Sequence, residues 1–408
     1  MNLNYVLRNL CKNTTNLRYH STRNIMRLHE RGMFQDLFPD NSVNEIIDLL
    51  NVAPQCVYAG FDPTADSLHV GNLLVLINLL HWHRGGHTTI ALVGGATARI
   101  GDPSGRSTER DELSPIDITN NIEGIKSDII RIFENHNKYF SDNTENKIPL
   151  IINNESWYNK LPVVQFIGGV GRHLRMGTML SRSSVKTRLN SPAGMSLTEF
   201  SYQAFQAYDW LHLFKTHNCR FQIGGSDQMG NMMSGFDLIS KIYQKRVYGL
   251  TLPLITSEMG DKFGKSAGNA VWLSPNKTSP FTFYQFWVRM SDADAEKMLK
   301  LFTFDSLNSI KDLVQRHKQK PEERLAQKKL AEYLTTLVHG AEGLQKAHLA
   351  TQALYKGSTN AINSLSVDEI KSLFEGATVV EIMPEPGQDV LNVAMEAGCF
   401  PTKSKRLK

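Results

Sequence analysis

Between Cys56 and Val93 the chain passes from one short apolar strand, through a helix, to a second apolar strand, and few folds accept that order. The first strand, Cys56-Val-Tyr-Ala-Gly-Phe61, follows Pro54 and ends in a turn containing Pro63. A helical stretch then runs from His69 to Arg84 and stops at Gly85-Gly86. Thr88–Val93 forms the second strand, closed by Gly94-Gly95. Strand, crossover helix and strand make a βαβ unit, whose strands must lie parallel. The expectation is an α/β protein with a parallel sheet, with further strands at Pro149–Ile152 and Phe221–Ile223 and α/β pattern continuing to residue 285.

Upstream, 31–54 reads as a short helical lead-in carrying Met33, Leu37 and Phe38, then Val43, Ile46, Ile47 and Leu50. Beyond Ser291 the pattern changes. Ala293–Phe302, Ser309–Gln319 and Pro321–Tyr355 repeat apolar residues at helical spacing with no strand between them, which predicts a separate helical domain. From Gly376 a last segment opens on Val379-Val-Glu-Ile382 and finishes in a basic stretch, Lys403–Lys408.

Composition bounds the class. The 408 residues are 41% hydrophobic and 21% charged, the make-up of a globular protein of two or three domains. No apolar run is long enough to cross a bilayer; Leu73–Leu80 is interrupted by Asn78 and followed by Arg84. A net charge of +5 permits a polyanionic partner without demanding one. Cys11, Cys56, Cys219 and Cys399 are scattered, with no C-x-x-C pair, which argues against a disulfide framework and fits a reducing compartment.

The first residues differ from the rest. Up to His29 the chain carries Arg8, Lys12, Arg18, Arg23 and Arg27 and no acid, while Leu3, Val6, Leu7 and Leu10 share one helical face. An acid-free, basic, amphipathic start is what mitochondrial import requires, so 1–31 is expected to be an import segment. The competing reading is a basic tail that touches RNA.

Two segments are candidates for phosphate binding, the plain alternatives being an ordinary strand–helix junction with a surface histidine and a solvated basic loop. In Tyr58-Ala-Gly-Phe-Asp-Pro-Thr-Ala-Asp-Ser-Leu-His69-Val-Gly-Asn72 a strand ends, a polar turn follows and a helix opens. A helix N-terminus offers unpaired N–H groups and a positive dipole end to phosphate. Gly71 would let a nucleotide lie against bare backbone. Far along the chain, Lys262-Phe-Gly-Lys265-Ser266 places two cations in a glycine-bearing loop, suited to a departing pyrophosphate. It is not a P-loop, because Gly260 stands one residue too close to Gly264. Gly169-Val-Gly171 is not a dinucleotide fingerprint either, since Leu174 replaces the third glycine. His81, His83 and His87 read as structural: two of them flank Trp82 on the helix and none has a carboxylate partner. Elsewhere Tyr202, Gln206 and Asp209 fall at i, i+4 and i+7, which brings three polar side chains to one helix face where a core would carry Leu or Val.

The two phosphate segments, in this order, resemble the paired ATP motifs of class I aminoacyl-tRNA synthetases. The chain is similar in particular to the bacterial and mitochondrial tyrosyl-tRNA synthetases over 33–375. Gly94-Gly-Ala-Thr-Ala-Arg-Ile-Gly-Asp-Pro-Ser-Gly105, Tyr202-Gln-Ala-Phe-Gln-Ala-Tyr-Asp209 and Gln222-Ile-Gly-Gly-Ser-Asp-Gln228 carry that likeness.

The resemblance implies a Rossmann-like catalytic domain over 32–285 with a connective insertion over 110–220. A helical anticodon-binding domain over 286–375 and the beginning of an S4-like segment over 376–408 would follow. It implies that Tyr58 and Asp209 hydrogen-bond a tyrosine phenol, and that Tyr202, Gln206 and Asp102 hold its ammonium group. Asn154, Gln222 and Gln228 would complete that pocket. Gly60, Asp62, Gly71, Asn72, Gly224, Gly225, Asp227 and the backbone of Ile255 would meet the nucleoside of ATP. Thr64, His69, Lys262, Lys265 and Ser266 would face the phosphates in the transition state. ATP enters as a substrate with Mg²⁺, and no protein metal site is expected. Many relatives carry Cys where Ala59 stands, so a ribose contact is absent or supplied otherwise. The partners implied are L-tyrosine, ATP, tRNA(Tyr) and a second copy of the chain, paired through Phe166–Leu189, in the mitochondrial matrix. An RNA-binding or intron-splicing role is the alternative, and an adenylyl transferase without tRNA a third.

Overall fold

The computed structural model describes residues 23–106, 108–141, 148–255, 265–266, 269–356, 370, 380, 382–383 and 387–399. Six strands form one sheet: β1 (Asp36–Phe38), β2 (Cys56–Phe61), β3 (Thr88–Val93), β4 (Leu150–Asn153), β5 (Cys219–Gly225) and β6 (Tyr248–Leu252). Their order is β1-β6-β5-β2-β3-β4. All pairs are parallel except β1 with β6, which is antiparallel. The expected mostly parallel sheet is therefore present. The chain leaves β2 toward β3 on one side and later returns to β5 on the other. That reversal makes a crevice at the carboxyl ends of β2 and β5, the place where open α/β sheets bind ligands.

One expectation is corrected here. The lead-in is not helical throughout: Asp36–Phe38 is an edge strand, paired with Gly249–Thr251, and only α1 (Val43–Val52) is helix. A strand of three residues leaves no readable period, and its partner lies more than two hundred residues away. Ahead of it Ile25–Arg31 forms a 3₁₀ turn with Ile25 and Met26 buried. The Arg31 guanidinium donates to the carbonyls of Lys300, Thr303 and Asp305. Residues 1–22, the greater part of the expected import segment, lie outside the described residues.

Helix α2 (Val70–Arg84) buries nearly its whole circumference, with Leu73, Leu76, Ile77, Leu79, Leu80 and Trp82 all at 0–3% exposure, as a crossover helix pressed between sheet and neighbours must. Helix α3 (Pro115–Tyr139) follows, capped by Ser114 and started by Pro115. Within the expected insertion, Met176–Leu180 and Ser183–Leu189 are short helices. The Arg188 guanidinium donates twice to the buried Glu199 carboxylate at 2.8 and 2.7 Å. Glu199 opens α4 (Leu197–His217), so this bidentate pair fastens the insertion to that helix. Helix α5 (Met229–Tyr243) packs along α4.

The helical stretch follows as α6 (Pro280–Val288), α7 (Asp292–Phe302), α8 (Leu307–Gln319) and α9 (Leu325–Lys356). Within α9, Gly340 leaves helical geometry at φ 74° and ψ 179°. Residues Met1–Gln345 form one compact unit that holds both the sheet and the helices up to that point; Lys346–Lys408 forms a second, which includes α10 (Val390–Glu396). No helix among the described residues is long and apolar enough to cross a membrane.

Candidate active site

The crevice is built from the ends of β2 and β5, the glycine turn after β3, and one face of α4. Asp209 lies on that face and is 3% exposed. Its Oδ1 accepts the Trp157 indole N–H at 3.0 Å and its Oδ2 accepts from Asn154 Nδ2 at 3.1 Å. Burial pushes the Asp209 carboxyl up to about 7, against hydrogen bonds from Asn154, Tyr158 and Trp157 that pull it down. Asn154, fully buried, also accepts the Ala96 N–H at 2.8 Å and donates to Thr97 Oγ1 at 3.2 Å. Thr97 in turn donates to Asp62 Oδ1 at 2.7 Å, and the Tyr202 hydroxyl donates to Asp62 Oδ2 at 2.7 Å. Desolvation raises the Asp62 carboxyl to about 6.

A single chain of hydrogen bonds thus runs from Tyr202 through Asp62, Thr97 and Asn154 to Asp209 and Trp157. It links two buried carboxylates, Asp62 and Asp209, through Thr97 and Asn154. Tyr202 and Asp209 are brought together as their spacing on α4 predicts, with Gln206 half-buried between them. Thr97, Trp157 and Tyr158 were not singled out in the sequence. Thr97 stands inside a motif quoted above and Trp157 three residues beyond Asn154, whereas nothing in the sequence marks Tyr158.

Beside this network two polar groups stand unsatisfied. Tyr58 and Gln222 are register partners on β2 and β5. Both are buried, and neither the Tyr58 hydroxyl nor Gln222 Oε1 finds a hydrogen-bond partner among the described residues. Burial, followed by the charge of Asp209, holds the Tyr58 phenol well above its ordinary range, so it stays a donor. Buried orphans are costly, and paired orphans beside a carboxylate signal a ligand with polar groups of its own. Asp102 closes the floor: its Oδ2 accepts from Gln228 Nε2 at 2.6 Å and its Oδ1 from the Ser104 N–H and from Asn231 Nδ2.

The outer end is made of backbone. Gly60 is exposed in an otherwise buried strand, and a Cβ there would meet nothing within 4 Å. Thr64 and Gly71 are also exposed, and His69 and Asn72 half-buried. His69 is the N-cap of α2: its Nδ1 accepts the Gly71 N–H at 3.0 Å, while Asn72 Oδ1 accepts the His69 N–H at 3.2 Å. With Nδ1 engaged as an acceptor, the neutral ring carries its proton on Nε2. Gly71 has a local reason beyond nucleotide approach, because a Cβ there would lie 2.7 Å from the His69 ring. Gly224 and Gly225 end β5; a Cβ on either would press on Gln228 and Met232, or on Asp227. Ile255 is half-buried just beyond β6. Ala59, at 0% exposure, offers no donor.

Lys262 lies outside the described residues. Lys265 and Ser266 form β7 (Lys265–Ser266), which pairs with β8 (Asn269–Ala270) as a two-residue antiparallel ladder. Just after it, Val70 N–H donates to Val271 O at 2.9 Å and Leu273 N–H to Leu68 O at 2.8 Å, so that His69 sits opposite Trp272. The His69 turn is therefore joined backbone to backbone to the stretch that follows the Lys265 hairpin. The three grouped histidines face separate neighbours: His81 packs on Phe304, His83 on Phe133, and His87 takes the Gln55 N–H.

A parallel sheet with this switch-point crevice, a histidine-capped helix N-terminus and a lysine hairpin beside it define a nucleotide-activating enzyme of class I synthetase type. The family model of class I tRNA synthetases for tryptophan and tyrosine matches residues 51–356, and the chain belongs to that family. Its relatives place it with the tyrosine branch. The mitochondrial tyrosine–tRNA ligase of Drosophila melanogaster is 54% identical over 96% of this chain and 85% of its own. That of Homo sapiens is 49% identical over 91% of this chain and 79% of its own. A C-terminally truncated mitochondrial tyrosyl-tRNA synthetase of Aspergillus nidulans, solved by crystallography, superposes with a TM-score of 0.75 at 30% identity, over 86% of this chain and 97% of its own.

Proposed function

We propose that this enzyme activates L-tyrosine with Mg·ATP and transfers the tyrosyl group to tRNA(Tyr) for mitochondrial translation, in the matrix. The tyrosine carboxylate attacks the α-phosphorus: a carboxyl–phosphorus bond forms, the bond to the β-phosphate oxygen breaks, and pyrophosphate leaves. A terminal ribose hydroxyl of tRNA then attacks the activated carbonyl and releases AMP. No protein nucleophile is needed, so catalysis is positioning and charge stabilisation. Asp209 and Tyr58 read the phenol. Tyr202, Gln206 and Asp102 hold the ammonium group, with Asn154, Gln222 and Gln228 around it. Gly60, Asp62, Gly71, Asn72, Gly224, Gly225, Asp227 and Ile255 receive the nucleoside. Thr64, His69, Lys262, Lys265 and Ser266 meet the phosphates.

The observation that carries this reading is the pair Tyr58 and Gln222, register partners whose buried polar atoms are unsatisfied, with Tyr58 under the charge of Asp209, which suits a polar, aromatic amino acid. A role limited to RNA binding has no use for such a wall. The helices over 286–375 are proposed to hold the anticodon arm, and 376–408 to begin an S4-like segment. The leader is proposed to precede the packed turn at Ile25–Arg31. Exposed Val163, Val164, Ile167, Met176 and Leu180 in the insertion support pairing of two copies through that face. The test is pyrophosphate exchange into ATP with each of the twenty amino acids. Exchange with tyrosine alone is expected; exchange with none, from folded protein, defeats the reading.

A further inference from the structure

One face of α3 is given over to polar and small residues at alternating spacings of three and four: Asn121, Gly124, Asp128, Arg131 and Asn135. None belongs to the pocket, yet every one meets backbone or side chain around the phosphate segments or the helical stretch. Asn121 Nδ2 donates to Pro63 O at 3.0 Å. Gly124 approaches Asp66 so closely that a Cβ would collide with its carbonyl oxygen. Asp128, 1% exposed, accepts the Ser67 hydroxyl at 2.7 Å and the Leu68 N–H at 3.0 Å on one oxygen, and Arg131 at 2.6 Å on the other. Arg131 donates onward to Leu273 O at 2.9 Å and Val338 O at 2.9 Å. Asn135 donates to Leu337 O at 3.0 Å. Ser67 Oγ also accepts the Ser274 N–H at 3.0 Å, so it ties the segment before His69 to the one after the lysine hairpin.

We propose that Ser67, Asp128 and Arg131 form a positioning node that holds the His69 turn and the exit arm of the lysine hairpin in register, and anchors both to the helix break at Gly340. Two physical facts make it more than packing. A carboxylate this buried is tolerated only when each oxygen is satisfied, and here one oxygen is taken by Ser67 and Leu68 just before His69 and the other by Arg131, which itself reaches Leu273 O. The carbonyls of Leu337 and Val338, just before the break at Gly340, accept from Asn135 and Arg131. A planar guanidinium spreads five donors over a rigid fork, so one side chain reaches a carboxylate and two carbonyls that lie apart. The node touches no substrate. It acts through the pairing of Leu68–Val70 with Val271–Leu273.

The inference rests on the proposed ATP role of His69 and Lys265, and the test separates the two. Ser67→Ala, Arg131→Gln and Gly124→Ala would be compared with the unaltered enzyme by single-turnover adenylate formation, tyrosine binding and amide hydrogen exchange. We expect adenylate formation to fall about 10- to 100-fold, the loss typical of a small misplacement of reacting groups, with tyrosine affinity nearly unchanged. Exchange should quicken at 68–70 and 271–273 together while α4 keeps its protection. Unchanged exchange at both segments overturns the node, whether or not the enzyme is active. Equal losses in tyrosine binding and rate would also overturn it, as a general loosening of the fold. An unaltered enzyme inactive with every amino acid would instead defeat the functional reading, while hydrogen exchange still decides the node.

Discussion

The two ends of the crevice are built on opposite plans. The inner end, proposed to read the amino acid, is made of side chains: Asp209, Asn154, Tyr58 and Gln222 are at most 3% exposed, and a hydrogen-bond chain fixes Asp209 and Asn154. At the outer end the surface is backbone, with Gly60, Thr64 and Gly71 exposed and a capped helix start between them. The difference suits what each end is proposed to do. An amino acid is told from its neighbours by a few polar atoms, which demands rigid, desolvated partners. A triphosphate is charged, so close approach to backbone and cationic side chains suits it, and the useful contacts are those that strengthen as pyrophosphate departs.

The largest expected effect tests the outer end. Lys265→Ala should lower adenylate formation about 100- to 1,000-fold while leaving tyrosine binding nearly unchanged, because the lysine is assigned to charge that develops as the phosphate bond breaks. Pre-steady-state formation of tyrosyl-adenylate and equilibrium tyrosine binding measure the two separately. A matching loss in both would erase the distinction between the ends.

The next effect tests the inner end. Asp209→Ala should shrink the tyrosine-to-phenylalanine ratio of kcat/KM by about 10- to 100-fold, the span of about 1–3 kcal/mol for a buried hydrogen-bonding group left unmade. The loss should fall on tyrosine rather than appear as a gain for phenylalanine. Retained discrimination would mean that Tyr58 or Gln222 reads the phenol without the carboxylate.

What the sequence made legible divides along the same line. The strand–helix–strand unit and the polar face of α4 could be read because each is a local period, and Tyr202 and Asp209 do share a wall. Thr97 and Trp157 escaped because their role is relational. Thr97 matters as the link between Asp62 and Asn154, residues some ninety apart in sequence. The edge strand Asp36–Phe38 escaped for the same reason, since only its pairing with β6 makes it a strand. The joining of His69 to Trp272 is a further case. Local pattern was readable; closure between distant segments was not.

The smallest effect concerns the cost of the rigid end. Asp209 titrates near 7 in the folded enzyme, against roughly 3.9 for an unfolded aspartate. The folded state therefore holds this proton where the unfolded chain has released it, and stability must fall as pH rises from about 4 to 7, levelling off above. Asp62, raised to about 6, adds to the slope over the lower part of that window. Asp209→Asn keeps the shape and removes the proton equilibrium. Its melting temperature should vary less between pH 5 and 8, and at pH 8 should exceed that of the unaltered enzyme by roughly 2–4 °C, the shift expected of about 1 kcal/mol. Thermal scans across that range decide the matter. Bound tyrosine should act in the opposite direction, since a phenol O–H donated to Asp209 favours the ionised carboxylate and recovers most where the proton has gone. An asparagine variant with the same pH slope would show that the burial of Asp209 carries no cost, and the inner end would then owe its selectivity to something other than a strained carboxylate.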